Sequence, residues 1–327
     1  MKVVITIQKI KTALLLTLLL PWAVVWANQG NTERCVTDMS GRTVCLATNK
    51  PKIISLSPGS TELIFAAGAG AQLIAVDQHS DYPEAVAKLP RVGGYPNINI
   101  EAIVALQPDL VAIWKGGNSP SVVKQLESLG ITTFDLDAVT FTGIKQALAL
   151  IGLIAGTEAQ AQKTIDEFSA RLKTLQTQYS HLSPVPVLFE LWHTPLIAAG
   201  KGLVINDVIT LCGGRNVYQD IAAPTAKIGI ESVVARNPQV IIGSDPRGDT
   251  AETRQAMLDY WQQWPNLQAV RERQLFSVNS HLIARPTPRV LEGAEMICKQ
   301  LQAFRRPKSN GTDLSRLPLI HLESPGL

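Results

Sequence analysis

The sequence predicts an α/β protein of two Rossmann-like lobes, each with a parallel-rich sheet, joined by one long, rigid α-helix. Three observations predict this fold class. Strand-like and helix-like segments alternate in both halves of the chain, one pattern occurs once in each half, and residues 157–182 between the halves contain neither Gly nor Pro. Alternation of strand and helix is typical of a mostly parallel sheet covered on both faces. A chain of 327 residues also fits two domains of ordinary size better than one.

The N-terminal residues have the parts of a secretory signal peptide. A positive segment precedes an apolar run over residues 13–26, and Ala27 provides the small residue of a cleavage site before Asn28. The alternative, a membrane anchor, is disfavoured because the run is short for a span and is interrupted by Pro21. We therefore expect residues 1–27 to be removed on export to the periplasm. The lysines of the positive segment are Lys2, Lys9 and Lys11.

Residues 28–50 form a short extension ahead of the first lobe, and it carries two of the four cysteines. In an exported chain four cysteines predict two disulfides, with three possible pairings. Cys35 and Cys45 flank a predicted hairpin turn and can pair across it. Cys212 and Cys298 fall on the apolar faces of predicted helices, and a bond between them would close a long loop. A metal site is disfavoured because no cysteine has a second ligand at the usual zinc spacing.

The first lobe is predicted over residues 51–156. Its strands are short apolar runs, and its helices are bounded by capping residues, Gly or Pro. The predicted strands are residues 52–56, 73–76, 110–114 and 131–136, and the predicted helices between them are residues 62–68, 100–106 and 122–129.

The second lobe, residues 183–306, repeats this order of elements. Its predicted strands are residues 187–191, 240–243 and 275–278, and its predicted helices are residues 204–211, 231–236, 252–261 and 290–304. Because the order is the same, we expect a second sheet of the same kind.

One pattern is shared by the two halves. Residues 99–111 match residues 229–241, with the same spacing from a glutamate, Glu101 or Glu231, to a proline. Each copy is typical of a short helix stopped by proline and followed by a buried strand. Convergence on a common connector would also produce such a match. The elements around each copy nevertheless occur in the same order, which favours two related lobes.

Residues 157–182 are predicted to form the helix that joins the lobes. Apolar residues recur there at helical spacing, and a helix of this length would run roughly 30 Å or more. A continuous helix holds two lobes more stiffly than a flexible linker would. After the second lobe, residues 307–327 are expected to be a disordered tail.

Several short segments point to a known family. They read SLSP (residues 55–58), TEL (61–63), DYP (81–83), IVALQPDLV (103–111), WKGGN (114–118), CGGRN (212–216) and PR (288–289). In these segments the chain resembles the cobalamin-binding periplasmic proteins, members of the class III, helix-bridged solute-binding family. The resemblance covers roughly residues 52–304 and implies a corrinoid such as cobalamin as the ligand, bound between the lobes. The same scaffold also serves haem and ferric siderophores, which are the alternative.

Ligands of open α/β sheets collect at the carboxyl ends of strands. Trp114 follows such a strand, and the resemblance implies that its indole stacks on a flat macrocycle. The chain departs from the cobalamin pattern where His79 replaces a tyrosine and His281 replaces an acid. His79, His193 and His281 are each either an ordinary loop residue or a partner of the ligand, by hydrogen bond or as an axial ligand of cobalt or haem iron. The residues predicted to contact the ligand are Ser57, Pro58, Gly59, His79, Tyr95, Trp114, Trp192, His193, Thr225, His281, Leu282, Ile283, Ala284 and Arg285.

Glu101 and Glu231 occupy the first turns of their predicted helices. A carboxylate there is favoured by the helix dipole in any protein. The resemblance implies in addition that each pairs with arginines of one membrane subunit, which would fix the orientation of docking. The expected partners are therefore an ABC permease dimer with its ATPase subunits and the macrocyclic ligand, and the protein itself is expected to be a monomer.

Charge and motifs disfavour other classes of function. The net charge is only +3 and no basic run is interleaved with aromatics, so we expect no nucleic-acid partner. Residues 79–81 read His-Ser-Asp, but adjacent residues cannot act as base, nucleophile and orienter of a catalytic triad. The glycine pairs are typical of helix ends rather than of a dinucleotide fingerprint. We expect a binding protein rather than an enzyme, with no cofactor and no metal site of its own.

Overall fold

The computed structural model describes residues 33–305. The predicted signal peptide (residues 1–27), the start of the extension (28–32) and the predicted tail (307–327) lie outside the described residues. Within residues 33–305, no helix is both long enough and apolar enough to cross a membrane.

The described residues alternate between strands and helices along most of their length. The strands are β1 (Arg34–Thr37), β2 (Thr43–Leu46), β3 (Ile53–Ser55), β4 (Leu73–Val76), β5 (Gly93–Gly94), β6 (Asn97–Ile98), β7 (Leu110–Ile113), β8 (Thr133–Asp135), β9 (Val185–His193), β10 (Leu196–Ala199), β11 (Gly214–Asn216), β12 (Thr225–Lys227), β13 (Val240–Asp245) and β14 (Leu275–Asn279). The helices are α1 (Pro58–Ala66), α2 (Ile100–Leu106), α3 (Pro120–Ser128), α4 (Phe141–Ala155), α5 (Glu158–Tyr179), α6 (Val204–Leu211), α7 (Ile230–Arg236), α8 (Ala251–Trp261), α9 (Gln268–Arg271), α10 (Ser280–Ile283) and α11 (Val290–Arg305). Two short 3₁₀ segments span Gly70–Gln72 and Glu84–Lys88.

The first sheet has the strand order β4-β3-β7-β8, and all neighbouring strands are parallel. Every residue of β3, β7 and β8 is buried, as expected for strands covered by helices on both faces. The parallel sheet predicted for the first half of the chain is therefore confirmed, and each of its four strands lies within a segment predicted as a strand.

The second sheet has the order β12-β10-β9-β13-β14, and β11 also pairs with β9. The three predicted strands, β9, β13 and β14, pair in parallel as expected, and β11 also pairs in parallel with β9, whereas β10 is antiparallel to both β9 and β12. The sequence analysis did not identify β10, β11 or β12. The segments GRN of β11 and TAK of β12 contain no apolar run, and only two residues separate β10 from the end of β9, so the sequence provides no separate strand signal for them.

The pattern shared by the two halves forms the same structure twice. The helices α2 and α7 have seven residues each, and each ends at a residue with left-handed backbone, Gln107 (φ 47°) or Asn237 (φ 40°). A proline follows, and then a buried strand, β7 or β13. The two copies agree in helix length, in the conformation of the helix end and in the strand that follows.

The helix α5 lies in the chain between the last strand of the first sheet and the first strand of the second. Its 22 residues correspond to about 33 Å. Its buried side chains recur at helical spacing, and the helix packs against α4, α11, α6 and α1. The lobe boundaries at residues 51–156, 157–182 and 183–306 stay predictions. The buried side chains of α5 are Ala161, Phe168, Leu172, Leu175 and Tyr179.

Two disulfides are present, and they are the two pairings described from the sequence. Cys35 and Cys45 are opposite each other in the β1–β2 hairpin and are bonded. Cys212, at the end of α6, is bonded to Cys298 in α11, and both are fully buried. The second bond therefore fastens two helices of the C-terminal half to each other.

Asp38 fixes the hairpin to the first sheet. Its Oδ2 accepts hydrogen bonds from the backbone N–H of Asp135 (3.2 Å) and from Nε of Arg42 (3.1 Å). The backbone N–H of Met39 donates to the carbonyl oxygen of Asp135 at 3.2 Å. Burial alone would raise the pKa of Asp38, but hydrogen bonds from Ser40, Arg42 and Asp135 outweigh it and lower the pKa. The hairpin thus covers β8, the edge strand of the first sheet.

Candidate functional site

Most of the residues predicted to contact the ligand lie after the carboxyl ends of strands in the two sheets. In the first half of the chain they follow β3, β4 and β7, except Tyr95, which lies in the β5–β6 turn. In the second half they end β9 or follow β14, except Thr225, which begins β12 and lies away from the end of β9. The other residues of each group lie at the edge of a sheet at which ligands of α/β proteins usually bind. The first group is Ser57, Pro58, Gly59, His79, Tyr95 and Trp114, and the second is Trp192, His193, Thr225, His281, Leu282, Ile283, Ala284 and Arg285.

Arg285 joins the two edges. Its Nη1 donates to Oε1 of Glu62 in α1 (2.8 Å) and to Oδ1 of Asp81 (2.5 Å). The other oxygen of Glu62 accepts from the hydroxyl of Thr287 at 3.0 Å. The side chains of Arg285 and Glu62 are only 12% and 3% exposed, so water screens their attraction weakly. A predicted site residue therefore holds the N-terminal and C-terminal halves of the chain together.

The charges around Arg285 shift one another's pKa values. Burial alone would lower the pKa of Arg285, but the neighbouring carboxylates outweigh it and raise the pKa. Burial would likewise raise the pKa of Asp81, but Arg285 and His281 lower it. The guanidinium of Arg289 lies 3.8 Å from the ring centroid of Tyr82, which is a cation–π contact between the same two edges.

The start of α1 lies at the edge of the first sheet, directly after β3. Ser57 is the N-cap of α1, and its hydroxyl accepts the backbone N–H of Ser60 at 3.1 Å. Pro58 occupies the first turn of α1, where backbone N–H groups have no acceptor within the helix, so the N–H that proline lacks costs no helical hydrogen bond. A Cβ added at Gly59 would lie 3.8 Å from Cδ of Pro286, so this turn faces the loop that follows α10.

Trp114 lies directly after β7 and is 42% exposed. The side chain of Asn118 fixes the turn, because its Oδ1 accepts the backbone N–H of Trp114 (2.7 Å) and its Nδ2 donates to the carbonyl of Leu56 (3.1 Å). The indole ring lies against Gly117, where a Cβ would be 2.2 Å from Cζ3 of the ring. The glycine is therefore required for this position of the indole.

Exposed aromatic side chains are concentrated at these edges. Among residues 33–305 the large aromatics classed as exposed are Tyr82, Tyr95, Trp114 and Trp192, and all four lie in segments that follow or end the strands described above. Trp192 is 63% exposed, and its Nε1 donates to the carbonyl of Thr194 at 2.9 Å. Exposed aromatics of this kind are typical of binding sites for flat, partly apolar ligands.

The histidines differ in what they contact. His79 is exposed, and its Nε2 lies 3.0 Å from the amide nitrogen of Gln78. Nδ1 of His281 lies 2.7 Å from Nη2 of Arg285 and 3.1 Å from Oδ2 of Asp81. His281 is thus part of the ion cluster around Arg285, whereas His79 is at the surface of the first edge.

The remaining residues predicted to contact the ligand in the second half of the chain differ in how exposed their side chains are. Ile283 is fully buried in the hydrophobic core, so only its backbone could contact a ligand. Leu282 is half-buried, and Ala284 is exposed. Thr225 is exposed at the start of β12, opposite Ala199 of β10.

A buried carboxylate that the sequence analysis missed lies at the end of β9. Glu190 is 2% exposed, and its Oε1 is 2.6 Å from Nδ1 of His193. Its Oε2 accepts the indole N–H of Trp261 at 2.9 Å. Burial raises the pKa of Glu190, and the bonds from His193 and Trp261 offset part of that rise. A glutamate inside the apolar run of β9 was the signal that could have identified this group.

Glu101 and Glu231 are both exposed, in the first turns of α2 and α7. Three residues further along each helix is an exposed valine, Val104 (42%) or Val234 (51%). The two halves therefore present the same pair of side chains, an acid and an exposed apolar residue, at equivalent positions.

A separate groove lies between α4, α5 and α6. Its lining includes Phe141, Lys145, Leu172, Gln176 and Asp207. The backbone N–H of Phe141 donates to Oδ2 of Asp207 at 2.8 Å, so the groove lies where the two halves of the chain contact each other. None of the residues predicted to contact the ligand lines it.

Comparison with known proteins identifies relatives over most of the described region. Residues 53–282 match the family described as periplasmic binding protein. A vitamin B12-binding protein of Vibrio cholerae serotype O1 is 35% identical over 256 residues, which are 78% of this chain and 90% of that protein. The crystal structure of a periplasmic vitamin B12 binding protein of Vibrio cholerae is similar with a TM-score of 0.71 and 34% identity, covering 79% of this chain and 99% of that one. A periplasmic haem-binding protein of the same species has a TM-score of 0.66 and 25% identity, covering 78% of this chain and 99% of that one.

Proposed function

The chain belongs to the periplasmic binding protein family, and from that premise we propose that it captures cobalamin or a related corrinoid between its two lobes and delivers it to the permease of an ABC importer. It holds the ligand without transforming it. Haem or a ferric siderophore is the alternative ligand.

The observation that carries the proposal is the difference in similarity between relatives. Identity to the vitamin B12-binding protein of Vibrio cholerae is 35% over most of both chains, whereas identity to the haem-binding structure of the same species is 25%. Both have the same fold, so the additional identity favours the corrinoid.

The geometry supports the same conclusion. A corrin is flat and apolar on its faces and carries polar amide arms at its rim. In the proposal, the exposed indoles of Trp114 and Trp192 stack on the macrocycle. Arg285, with its planar guanidinium held between two edges, donates to the polar arms. Part of the interaction of Arg285 with Asp81 would then be exchanged for bonds to the ligand, because Asp81 is the more exposed of its two acidic partners.

In the proposal, docking on the permease depends on the acidic residues of the pattern shared by residues 99–111 and 229–241. Glu101 and Glu231 would each pair with arginines of one permease subunit, and the exposed valines beside them would add apolar contact. The ATPase subunits of the importer would not contact this chain. The protein would act as a monomer in the periplasm after removal of residues 1–27.

Titration calorimetry of the mature chain, residues 28–327, tests the proposal. We expect one cobalamin to bind per chain, and Trp114→Ala to weaken binding by roughly tenfold, since loss of one aromatic contact removes on the order of 1–2 kcal/mol. Leu129→Ala is the matched control, because Leu129 is also an exposed apolar residue (54%, against 42% for Trp114) but ends α3, away from the strand ends. Equal effects of the two variants, or tighter binding of haemin than of cobalamin, would contradict the proposal.

A further inference from the structure

His193 has an unusual environment for an exposed histidine. Its side chain is 55% exposed, yet its Nδ1 is held at 2.6 Å by the 3% exposed side chain of Glu190. The ring also lies against Tyr260, with ring centroids 5.3 Å apart, and the hydroxyl of Tyr260 donates to the backbone carbonyl of His193 at 3.1 Å. The imidazole is therefore fixed in position by a carboxylate on one nitrogen and an aromatic ring on its side.

The neighbouring carboxylate favours one tautomer of His193. An ionised Glu190 can only accept hydrogen bonds, and because Trp261 donates to its Oε2, its Oε1 would accept from Nδ1–H of His193. With the proton on Nδ1, the lone pair of the neutral ring lies on Nε2. Within residues 33–305, Nε2 of His193 makes no hydrogen bond. A histidine that binds a metal usually has one ring nitrogen hydrogen-bonded to a carboxylate or carbonyl, while the other ring nitrogen is free to coordinate the metal.

The other histidines at the two edges lack this arrangement. Nδ1 of His281 lies between Nη2 of Arg285 (2.7 Å) and Oδ2 of Asp81 (3.1 Å), and its carboxylate neighbour is half-exposed and already paired with Arg285. Nε2 of His79 is already next to the amide of Gln78. His193 is therefore the histidine whose free nitrogen is best prepared to bind a metal.

The position of His193 agrees with the proposed site. It is the last residue of β9 and directly follows Trp192, one of the four exposed aromatics. Both side chains are exposed at the end of β9, so a macrocycle bound at this edge would lie within reach of the imidazole.

We propose that Nε2 of His193 coordinates the cobalt of the bound corrinoid, and that the preferred ligand is therefore a corrinoid with an exchangeable water on one axial position. This inference rests on the proposed function. In the exchange, the cobalt–oxygen bond breaks and water leaves, and the lone pair of neutral Nε2 forms the cobalt–nitrogen bond. The oxidation state of cobalt does not change, and no proton is transferred.

The test records the visible spectra of aquocobalamin and of cyanocobalamin, each free and bound to the mature chain, residues 28–327. Replacement of water by imidazole shifts the visible bands of a cobalt(III) corrinoid to longer wavelength. We expect that shift when aquocobalamin binds, and no shift with cyanocobalamin, because cyanide blocks the axial position. His193→Asn keeps an N–H donor for Glu190 but has no free ring nitrogen, so it is expected to bind both corrinoids without the shift.

Affinities provide the second measurement. Glu190→Gln is expected to lower the affinity for aquocobalamin by about ten- to hundredfold, the range typical of groups that orient a metal ligand, and to lower the affinity for cyanocobalamin by much less. His193→Asn should lose at least as much. His181→Ala, at an exposed histidine after α5, is the matched control and should change neither the spectrum nor the affinities.

The outcomes distinguish this inference from the proposed function. Tight binding of aquocobalamin without a spectral shift, or a shift that persists in His193→Asn, would overturn the role of His193 and leave the corrinoid function intact. Failure to bind either corrinoid would overturn both.

Discussion

Replacement of Glu62 by Gln tests the contact that joins the two halves of the chain. The side chain of Glu62 is 3% exposed, and its Oε1 lies 2.8 Å from Arg285 and 3.7 Å from Arg289. Its Oε2 accepts from Thr287 at 3.0 Å. Gln has nearly the same size and keeps one acceptor oxygen, so the substitution mainly removes the negative charge between two guanidinium groups.

The expected effect follows from what remains around Arg285. Breaking a buried ion pair by removing one partner lowers the free energy of unfolding by about 3–5 kcal/mol when the other charge is left unpaired. Arg285 would keep Asp81, whose oxygen is 2.5 Å away. We therefore expect a smaller loss, about 2–3 kcal/mol.

Urea unfolding followed by tryptophan fluorescence measures this loss. Glu84→Gln is the matched control, because Glu84 is exposed and the same substitution there should change the free energy of unfolding by less than about 0.5 kcal/mol. The double variant Glu62→Gln/Arg285→Met should recover part of the loss, since Arg285, the more buried of the two cations, is then no longer left short of a partner. If Glu62→Gln unfolds like Glu84→Gln, the contact does not stabilise the fold and the reasoning is wrong.

Three further predictions concern the disulfide, the hairpin and docking. Replacing both Cys212 and Cys298 by Ala should lower the free energy of unfolding by about 2–4 kcal/mol, because the bond joins residues 86 apart; an unchanged urea midpoint would contradict this. The pKa of Asp38 is lowered in the fold from its ordinary value of 3.8, so its stabilisation is complete above that pH and is lost as pH falls through the folded-state pKa. The free energy of unfolding of Asp38→Asn should therefore fall less steeply with decreasing pH than that of the unsubstituted protein. Equal slopes would refute the stabilising role of the ionised Asp38. Charge reversal at both Glu101 and Glu231 should abolish uptake of cobalamin by cells while calorimetric binding is retained, and a parallel loss of both would exclude a docking role.

The parts of the fold that could be predicted are those determined by residues that lie close together in the sequence. The shared pattern of residues 99–111 and 229–241 contains its own helix, helix end and strand, and the structure forms the same connection in both places. The helix α5 was predictable because its buried residues recur at helical spacing without an interrupting Gly or Pro. By contrast, β10 and β12 are defined by antiparallel pairing across the sheet, which no apolar pattern bounded by turn residues indicates in their segments.

The missed parts of the candidate site depend on partners far away in the chain. Glu62 lies in a helix of ordinary appearance, and its burial is compensated by Arg285, 223 residues later. Glu190 interrupts an apolar strand, and its partner Trp261 is 71 residues away. The resemblance to a known family indicated Arg285 and His193 as ligand contacts. It did not indicate that buried carboxylates hold both of them, because that information lies in tertiary contacts alone.

The most direct test of the central claim is a side-by-side calorimetric titration of residues 28–327 with cobalamin and haemin. The account predicts that one cobalamin binds per chain, more tightly than haemin, and is recovered chemically unchanged. Tighter binding of haemin, no binding of either macrocycle, or conversion of cobalamin into a different compound would contradict it.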